Sequence, residues 1–330
     1  MQVFSKDGDA TTLGEKLAAG GEGTVYPLVQ RPEILVKVYH PDVLKKRSNM
    51  LKPKIEAMIS TQGEVSDRLS WPLLSAFNDR GDWIGYAMRR QGGVSMFVLA
   101  HAMLYQKHFP GLDRARIAGY LLDYLRTLEA LHRRNIMVGD FNLRNILCDP
   151  GSSRVSLIDS DSYQFMHMGN MFPCPVLSPD MSPPEHHTTQ TSSLPRTLES
   201  ERFSAAIVLF KALMLGRHPY DVVGGESPVQ NIQRGYFPYG VGGGGIPKGD
   251  WYNIWSHMPY RLKNLFIQAF GEGARNPSAR PGLEQWINEL RTYQHEITEK
   301  GWHESAIRPK QAKARAYRGS RSIESATNVD

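Results

Sequence analysis

The sequence predicts an α+β chain in two lobes, a small β-rich lobe with one main helix and then a larger, mostly helical lobe. Three observations carry that reading. The first ninety residues break into short apolar runs separated by Gly, Pro and Asn/Asp, the chemistry of strands and turns. After about residue 95 apolar residues recur at helical spacing instead. The 330 residues are 41% hydrophobic and 10% aromatic, enough for a sizeable core and too apolar for a mainly disordered chain.

Taken in order, residues 1–11 are an N-terminal segment, 12–90 the small lobe, 91–298 the large lobe and 299–330 a tail. Strand candidates in the small lobe are residues 11–19, 24–30, 33–40, 71–77 and 82–89. A helix fits Asp42 to Ser60, with Pro53 interrupting or restarting it. In the large lobe Ile117, Leu121, Leu125 and Leu128 form one apolar helix face. Phe203, Ile207, Phe210 and Met214 repeat that spacing, as do Trp286, Leu290, Tyr293 and Ile297, and core packing is the duty expected of all three sets. Residues 172–195 contain six prolines and residues 216–249 ten glycines, so both read as long surface loops, the second around a Gly-rich insert at 221–250.

Composition excludes several classes. The 39 Lys plus Arg against 33 Asp plus Glu give a formal net charge of +6, and residues 308–321 hold six basic and no acidic residues. The rest of the chain is near neutral and gives no electrostatic case for a nucleic-acid-binding domain, and the tail reads as solvated and disordered. Cys148 and Cys174 are too few for a disulfide framework or a Cys-rich zinc site. The opening MQVFSKDGDA lacks the apolar core of a signal peptide, and the longest apolar run, Phe203 to Phe210, is less than half a membrane span. A cytoplasmic protein without a membrane partner is expected.

Glycines 20, 21 and 23, between two strand candidates, would let backbone lie over phosphates without Cβ clashes, though a plain hairpin turn reads equally well. The strand ILVKVY places Lys37 between valines; facing inward its ammonium needs an anion, which Glu56, nineteen residues on, could supply. The densest segment is Leu131 to Asp149. A long helix ends near His132, a loop offers Asp140 and then Asn145, and a second apolar strand delivers Asp159. Asn145 and Asp159 can ligate Mg²⁺ through oxygen while Asp140 orients a hydroxyl and accepts its proton.

In that order these residues resemble a eukaryotic-type protein kinase over roughly residues 12–298. The resemblance implies a bilobal protein-kinase-like fold using ATP with Mg²⁺ or Mn²⁺. It makes residues 18–25 the glycine-rich loop, Lys37 the phosphate-binding lysine and Glu56 its helix partner. Leu17, Val25 and Leu147 would sandwich the adenine. Pro183-Pro184-Glu185 is similar to the motif closing an activation segment 159–185, with Arg280 the late arginine that pairs with Glu185. Glu201 stands where such kinases tether the catalytic loop from a helix.

VGDFNLRN, LIDSDSYQF and GRHPYD further resemble a bacterial branch associated with tellurite-resistance-type phosphorylation triads. That implies Ser/Thr transfer in a stress or signalling system, with a von Willebrand A-domain protein and a PP2C-like phosphatase as partners.

The departures are specific. Val138-Gly139 stand where the family has His-Arg, so docking of a phosphorylated activation loop loses its usual cation. Asn142 replaces the catalytic-loop lysine, for which Arg144 is a candidate substitute. Leu35 replaces a small residue ahead of Lys37 and is expected to crowd the adenine, and Asp161 is a candidate additional metal contact. Beside the protein kinase stand a nucleotide-binding pseudokinase and a small-molecule phosphotransferase.

Overall fold

The computed structural model describes residues 1–187, 194–240 and 243–313. A seven-stranded antiparallel sheet opens the chain: β1 (Gln2–Phe4), β2 (Ala10–Thr12), β3 (Ala18–Ala19), β4 (Gly23–Pro27), β5 (Ile34–Tyr39), β6 (Pro72–Phe77) and β7 (Trp83–Arg89). Their spatial order is β2-β1-β6-β7-β5-β4-β3. The first eleven residues, expected only as a leading segment, thus supply β1 and most of β2.

Strand periodicity sorts β5 into two faces. Leu35 and Tyr39 join the large core shared with the second lobe, whereas Val36, with Ile34 and Val38 beside it, packs in a smaller cluster on the outer face. Lys37 therefore lies on the inner face. Gly85 of β7 passes so close that a Cβ there would sit 1.9 Å from the Lys37 carbonyl oxygen, so only glycine allows β7 to pair at that position.

Helix α1 (Pro41–Ser60) crosses the sheet with Pro at its start. Pro53 lies inside it without ending it, costing one backbone donor rather than the helix. Trp71 fixes the helix by donating its indole N–H to the Met58 carbonyl at 2.7 Å.

The second lobe contains α2 (Met96–Ala100), α3 (Tyr105–His108), α4 (Arg114–His132), α5 (Leu198–Leu213), α6 (Pro228–Arg234), α7 (Asp250–His257), α8 (Tyr260–Phe270), α9 (Glu272–Arg275) and α10 (Leu283–Lys300). All three apolar faces expected from the sequence are buried in one core. A small sheet of β8 (Val94–Ser95), β9 (Ile146–Cys148) and β10 (Val155–Leu157) joins the lobes, and β11 (Phe165–His167) pairs with β12 (Asn170–Phe172). Ser70 N–H to the Leu157 carbonyl, at 2.9 Å, ties the loop between α1 and β6 of the first lobe to β10.

Two expectations of loose surface chain are corrected. The Gly-rich insert holds α6 and sends Phe237 and Tyr239 into an aromatic cluster around Phe210, because an apolar ring there has a core to join. Two of its residues, 241 and 242, lie outside the described residues. The tail does not begin at 299: α10 runs through Lys300, Gly301 turns the chain with φ 59°, and residues 301–313 dock across the lobe. Arg114 donates to the Ile307 carbonyl at 2.8 Å, and Ser256 to that of Lys313 at 3.0 Å. Residues 314–330 lie outside the described residues. Among the described residues no helix is long and apolar enough to cross a membrane.

Candidate active site

The cleft between the lobes is built from β5, the β3–β4 hairpin, the loop after α4 and the turn after β10. In the hairpin, the Gly20 N–H meets the Gly23 carbonyl at 2.9 Å and Leu17 pairs with Val25. A Cβ on Gly20 or Gly21 would meet nothing within 4 Å, whereas at Gly23 it would lie 2.5 Å from the Val38 carbonyl oxygen. The hairpin tip is open over the cleft and its base is closed against β5. Glu22 at the tip is ion-paired with Arg47 of α1. Leu17 is exposed, Leu147 on β9 is half-buried, and Leu35 is buried in the core.

Lys37 is 7% exposed and its ammonium is surrounded by carboxylates. It donates to Asp159 Oδ1 at 2.8 Å and to both oxygens of Asp161, at 3.0 and 2.8 Å. The Tyr39 hydroxyl, on the same strand face, donates to Asp161 Oδ2 at 2.6 Å. Burial alone would favour neutral Lys37, but the two carboxylates outweigh it and raise its pKa above the ordinary value. Burial likewise opposes ionisation of Asp161, yet Lys37 and Tyr39 hold its carboxyl down at about 2. Asp159 is raised, by burial and then by the neighbouring Asp161 charge, against the pull of Lys37.

The expected pairing of Lys37 with Glu56 is corrected. The buried stripe of α1 runs through Leu51, Ile55 and Met58, and the residue within it is Lys54, 2% exposed. Glu56, two residues on, is turned by about 200° to the solvent face, where it lies 4.0 Å from Lys52. Lys54 donates to the Pro173 carbonyl at 3.0 Å, and burial lowers its pKa to about 8. Asp161, read from sequence as a further metal contact, has both oxygens committed to Lys37 and Tyr39.

Asp159, two residues past the end of β10, is in the left-handed region, φ 63°, and a 3₁₀ turn over Ser160–Ser162 follows. That turn sends Asp159 toward the cleft, with its side chain 45% exposed, and Asp161 inward, at 2%. Ser160 is fully buried and donates to the Ser70 carbonyl at 2.7 Å. Asp140 and Asn145 line one small cavity with Ile158, and the Ile158 N–H bonds the Asn145 carbonyl at 3.0 Å. The loop carrying Asn145 and the strand leading to Asp159 are thereby locked together. Asp140 Oδ1 is buried without a hydrogen-bond partner among the described residues. Burial raises the Asp140 carboxyl, while Ser178 and Arg196 pull it down.

Glu201 in the first turn of α5 holds the Asp140 loop. Its oxygens accept the Val138 N–H at 2.9 Å and the Gly139 N–H at 2.8 Å, and face His132 at 3.1 Å. Gly139 has φ 73°, and a Cβ there would lie 2.7 Å from the Cys174 side chain. Cys174 is thus buried against this loop rather than exposed. Arg144, the candidate stand-in for the missing lysine, stacks on the Phe97 ring at 4.0 Å. The buried cation whose charge acts on Asp140 is Arg196, 3% exposed, and its guanidinium donates to the Val176 carbonyl at 2.9 Å. Arg280, its side chain fully buried, donates to both Glu185 oxygens at 2.6 and 2.8 Å.

Sequence reasoning missed the roles of Tyr39, Lys54, Asp161 and Arg196. Two carried a signal. Tyr39 follows Lys37 at the strand period, and Lys54 falls on the apolar stripe that Glu56 avoids.

Among the described residues no three His, Cys, Asp or Glu side chains gather as a metal cage. A divalent ion on Asn145 and Asp159 would take its other oxygens from phosphate and water, which suits Mg²⁺. The open glycine tip fits a phosphate group in the cleft, and the orphaned Asp140 oxygen fits a hydroxyl donor beside it.

No family model matches the chain. It is 26% identical over 311 residues, 90% of its length, to the protein kinase YegI of Escherichia coli strain K12, of which the match covers 47%. Against the protein kinase YegI of Escherichia coli O157:H7 it is 26% identical over 301 residues, 87% of this chain and 45% of the relative. The chain therefore spans about half the length of the curated relatives it matches.

Proposed function

We propose that the chain is a protein kinase that transfers the ATP γ-phosphoryl group to Ser or Thr hydroxyls of protein substrates. The observation that carries this reading is the meeting of Lys37 from β5 with Asp159 from the turn after β10, at 2.8 Å across the cleft. The likeness to two kinases of that name supports it, at 26% identity. The bidentate Glu185–Arg280 pair, which closes the activation segment, favours a protein acceptor over a small molecule.

Bound Mg²⁺ and ATP supply the activated phosphoryl group. The glycine tip covers the phosphates, Lys37 takes their charge, and Asn145 and Asp159 hold the ion. The hydroxyl oxygen of the acceptor forms the new bond to phosphorus as the bond to ADP breaks, and its proton passes to Asp140. The unfilled Oδ1 of Asp140 and its raised affinity for a proton suit that step. Ser/Thr selectivity, a von Willebrand A-domain partner and a PP2C-like phosphatase belong to this proposal through the bacterial resemblance.

Intact mass after incubation with Mg²⁺, ATP and a generic protein acceptor tests it, beside Asp140→Ala. One or more added phosphates, absent from the variant, are expected. No gain, with thermal stabilisation by Mg²⁺ and ATP retained, would replace the enzyme with a nucleotide-gated binding module.

A further inference from the structure

We propose that Asp161 is the positioning residue for Lys37, doing from the activation segment what a helix carboxylate was expected to do. The proposal rests on the phosphoryl-transfer reading of the cleft. Three carboxylates could serve Lys37, and their surroundings separate them. Glu56 is half-exposed and directed at Lys52. Asp159 touches Lys37 through one oxygen but is 45% exposed, free to turn to another ligand. Asp161 grips the ammonium with both oxygens, is 2% exposed, and is fixed from behind by the Tyr39 hydroxyl. A buried carboxylate with that many partners has one rotamer available, and so does the lysine it holds.

The surrounding charges agree. Helix α1 turns a second cation, Lys54, toward the same interior, so its inner face offers no anion to Lys37. Lys37 is the buried cation on Asp159 and Asp161, while Lys54 is spent on the Pro173 carbonyl. When Asp159 is drawn to a divalent ion, Asp161 is the carboxylate that remains on Lys37 and keeps it aimed at phosphate. The lysine clamp and the metal ligand are then carried two residues apart on one 3₁₀ turn, and the clamp does not require α1 to swing inward.

The test is equilibrium binding of Mg²⁺ and ATP to the full chain carrying Asp161→Asn, Glu56→Gln, Lys37→Met, and the Lys37→Met/Asp161→Asn pair. A charge-assisted hydrogen bond is worth enough that Asp161→Asn should weaken binding about ten-fold. Glu56→Gln should stay within about two-fold of the parent. The double variant should bind no worse than Lys37→Met, because Asp161 acts only through Lys37. A purely structural Asp161 would add its loss to that of Lys37→Met, and that additivity would overturn the assignment. Weakened binding in Glu56→Gln with unaffected Asp161→Asn would also overturn it. If Asp161→Asn does not fold, Glu56→Gln decides alone, silent for this proposal and about ten-fold weaker against it. A parent chain that binds no nucleotide sinks the kinase reading itself.

Discussion

Lys54→Met should alter the pH dependence of stability more than stability near neutrality. Lys54 is 2% exposed, and burial lowers its ammonium from 10.5 to about 8. Between those values the unfolded chain keeps a proton on this amine that the folded chain has released. Stability must then rise with pH across that window, by about 1.4 kcal/mol per unit from this group, or roughly 3 kcal/mol in all. Below about pH 8 both states are protonated, and the folded state carries the full cost of the buried charge.

Methionine fills similar space and does not titrate, but it strips the Pro173 carbonyl of its donor, a loss of about 1–3 kcal/mol. Near pH 7 the two effects oppose, and the variant should equal the parent or exceed it by up to about 2 kcal/mol. At about pH 10.5 only the lost hydrogen bond remains and the variant should be the less stable one. Urea unfolding of both proteins across that range reads the difference, in which the other lysines and the tyrosines cancel. A parent-minus-variant difference that stays flat from about pH 8 to 10.5 would refute the buried ammonium.

Arg280→Ala removes a fully buried side chain with hydrogen bonds to Glu185 and to the Gly273 and Glu199 carbonyls, and should cost about 3–5 kcal/mol. Glu185→Ala should cost only about 1–2 kcal/mol, because Glu185 is 38% exposed and Arg280 keeps its carbonyl partners; equal losses in thermal melts would contradict that asymmetry. Ending the chain at residue 300 should lower the melting temperature, since it strips Arg114 of the Ile307 carbonyl and removes Glu304, which is 1% exposed. Ending it at 313 retains those contacts; a melting temperature equally high for both truncations would show that residues 301–313 contribute nothing.

Much of the architecture was legible because helical and strand periods record burial directly. The faces at Ile117, Phe203 and Trp286 follow from spacing alone, whereas the inward setting of Lys37 does not, because both alternating sets of β5 are apolar. Partnerships across the cleft were harder to read. In Asp159-Ser160-Asp161 two identical carboxylates stand two residues apart, and their separation depends on one left-handed residue and the 3₁₀ turn after it. Nothing in the residue types announces that turn, so Asp161 read as a metal contact. Glu56 was chosen by charge although the stripe of Leu51, Ile55 and Met58 excluded it. Docking of residues 301–313 rests on carbonyl groups that every residue carries, and composition cannot see them.

Main-chain contacts of the same kind explain how residues 159–185, the proposed activation segment, hold their place without an arginine ahead of Asp140. Lys54 grips the Pro173 carbonyl, Arg196 that of Val176, and His218 meets that of Asp180 at 2.7 Å. Burial lowers His218 to about 4, so it is a neutral donor, while the other two bonds are charge-assisted. At about 1.5–3 kcal/mol for each charged bond and about 1 kcal/mol for the neutral one, the three together contribute several kcal/mol. They come from α1, from the approach to α5 and from the turn after it, so the segment is fixed from three directions. A phosphate added to this segment would find its nearest buried cations already holding carbonyls. Order here comes from side chains gripping backbone, and it leaves Val138-Gly139 free to serve as the main-chain anchor for Glu201.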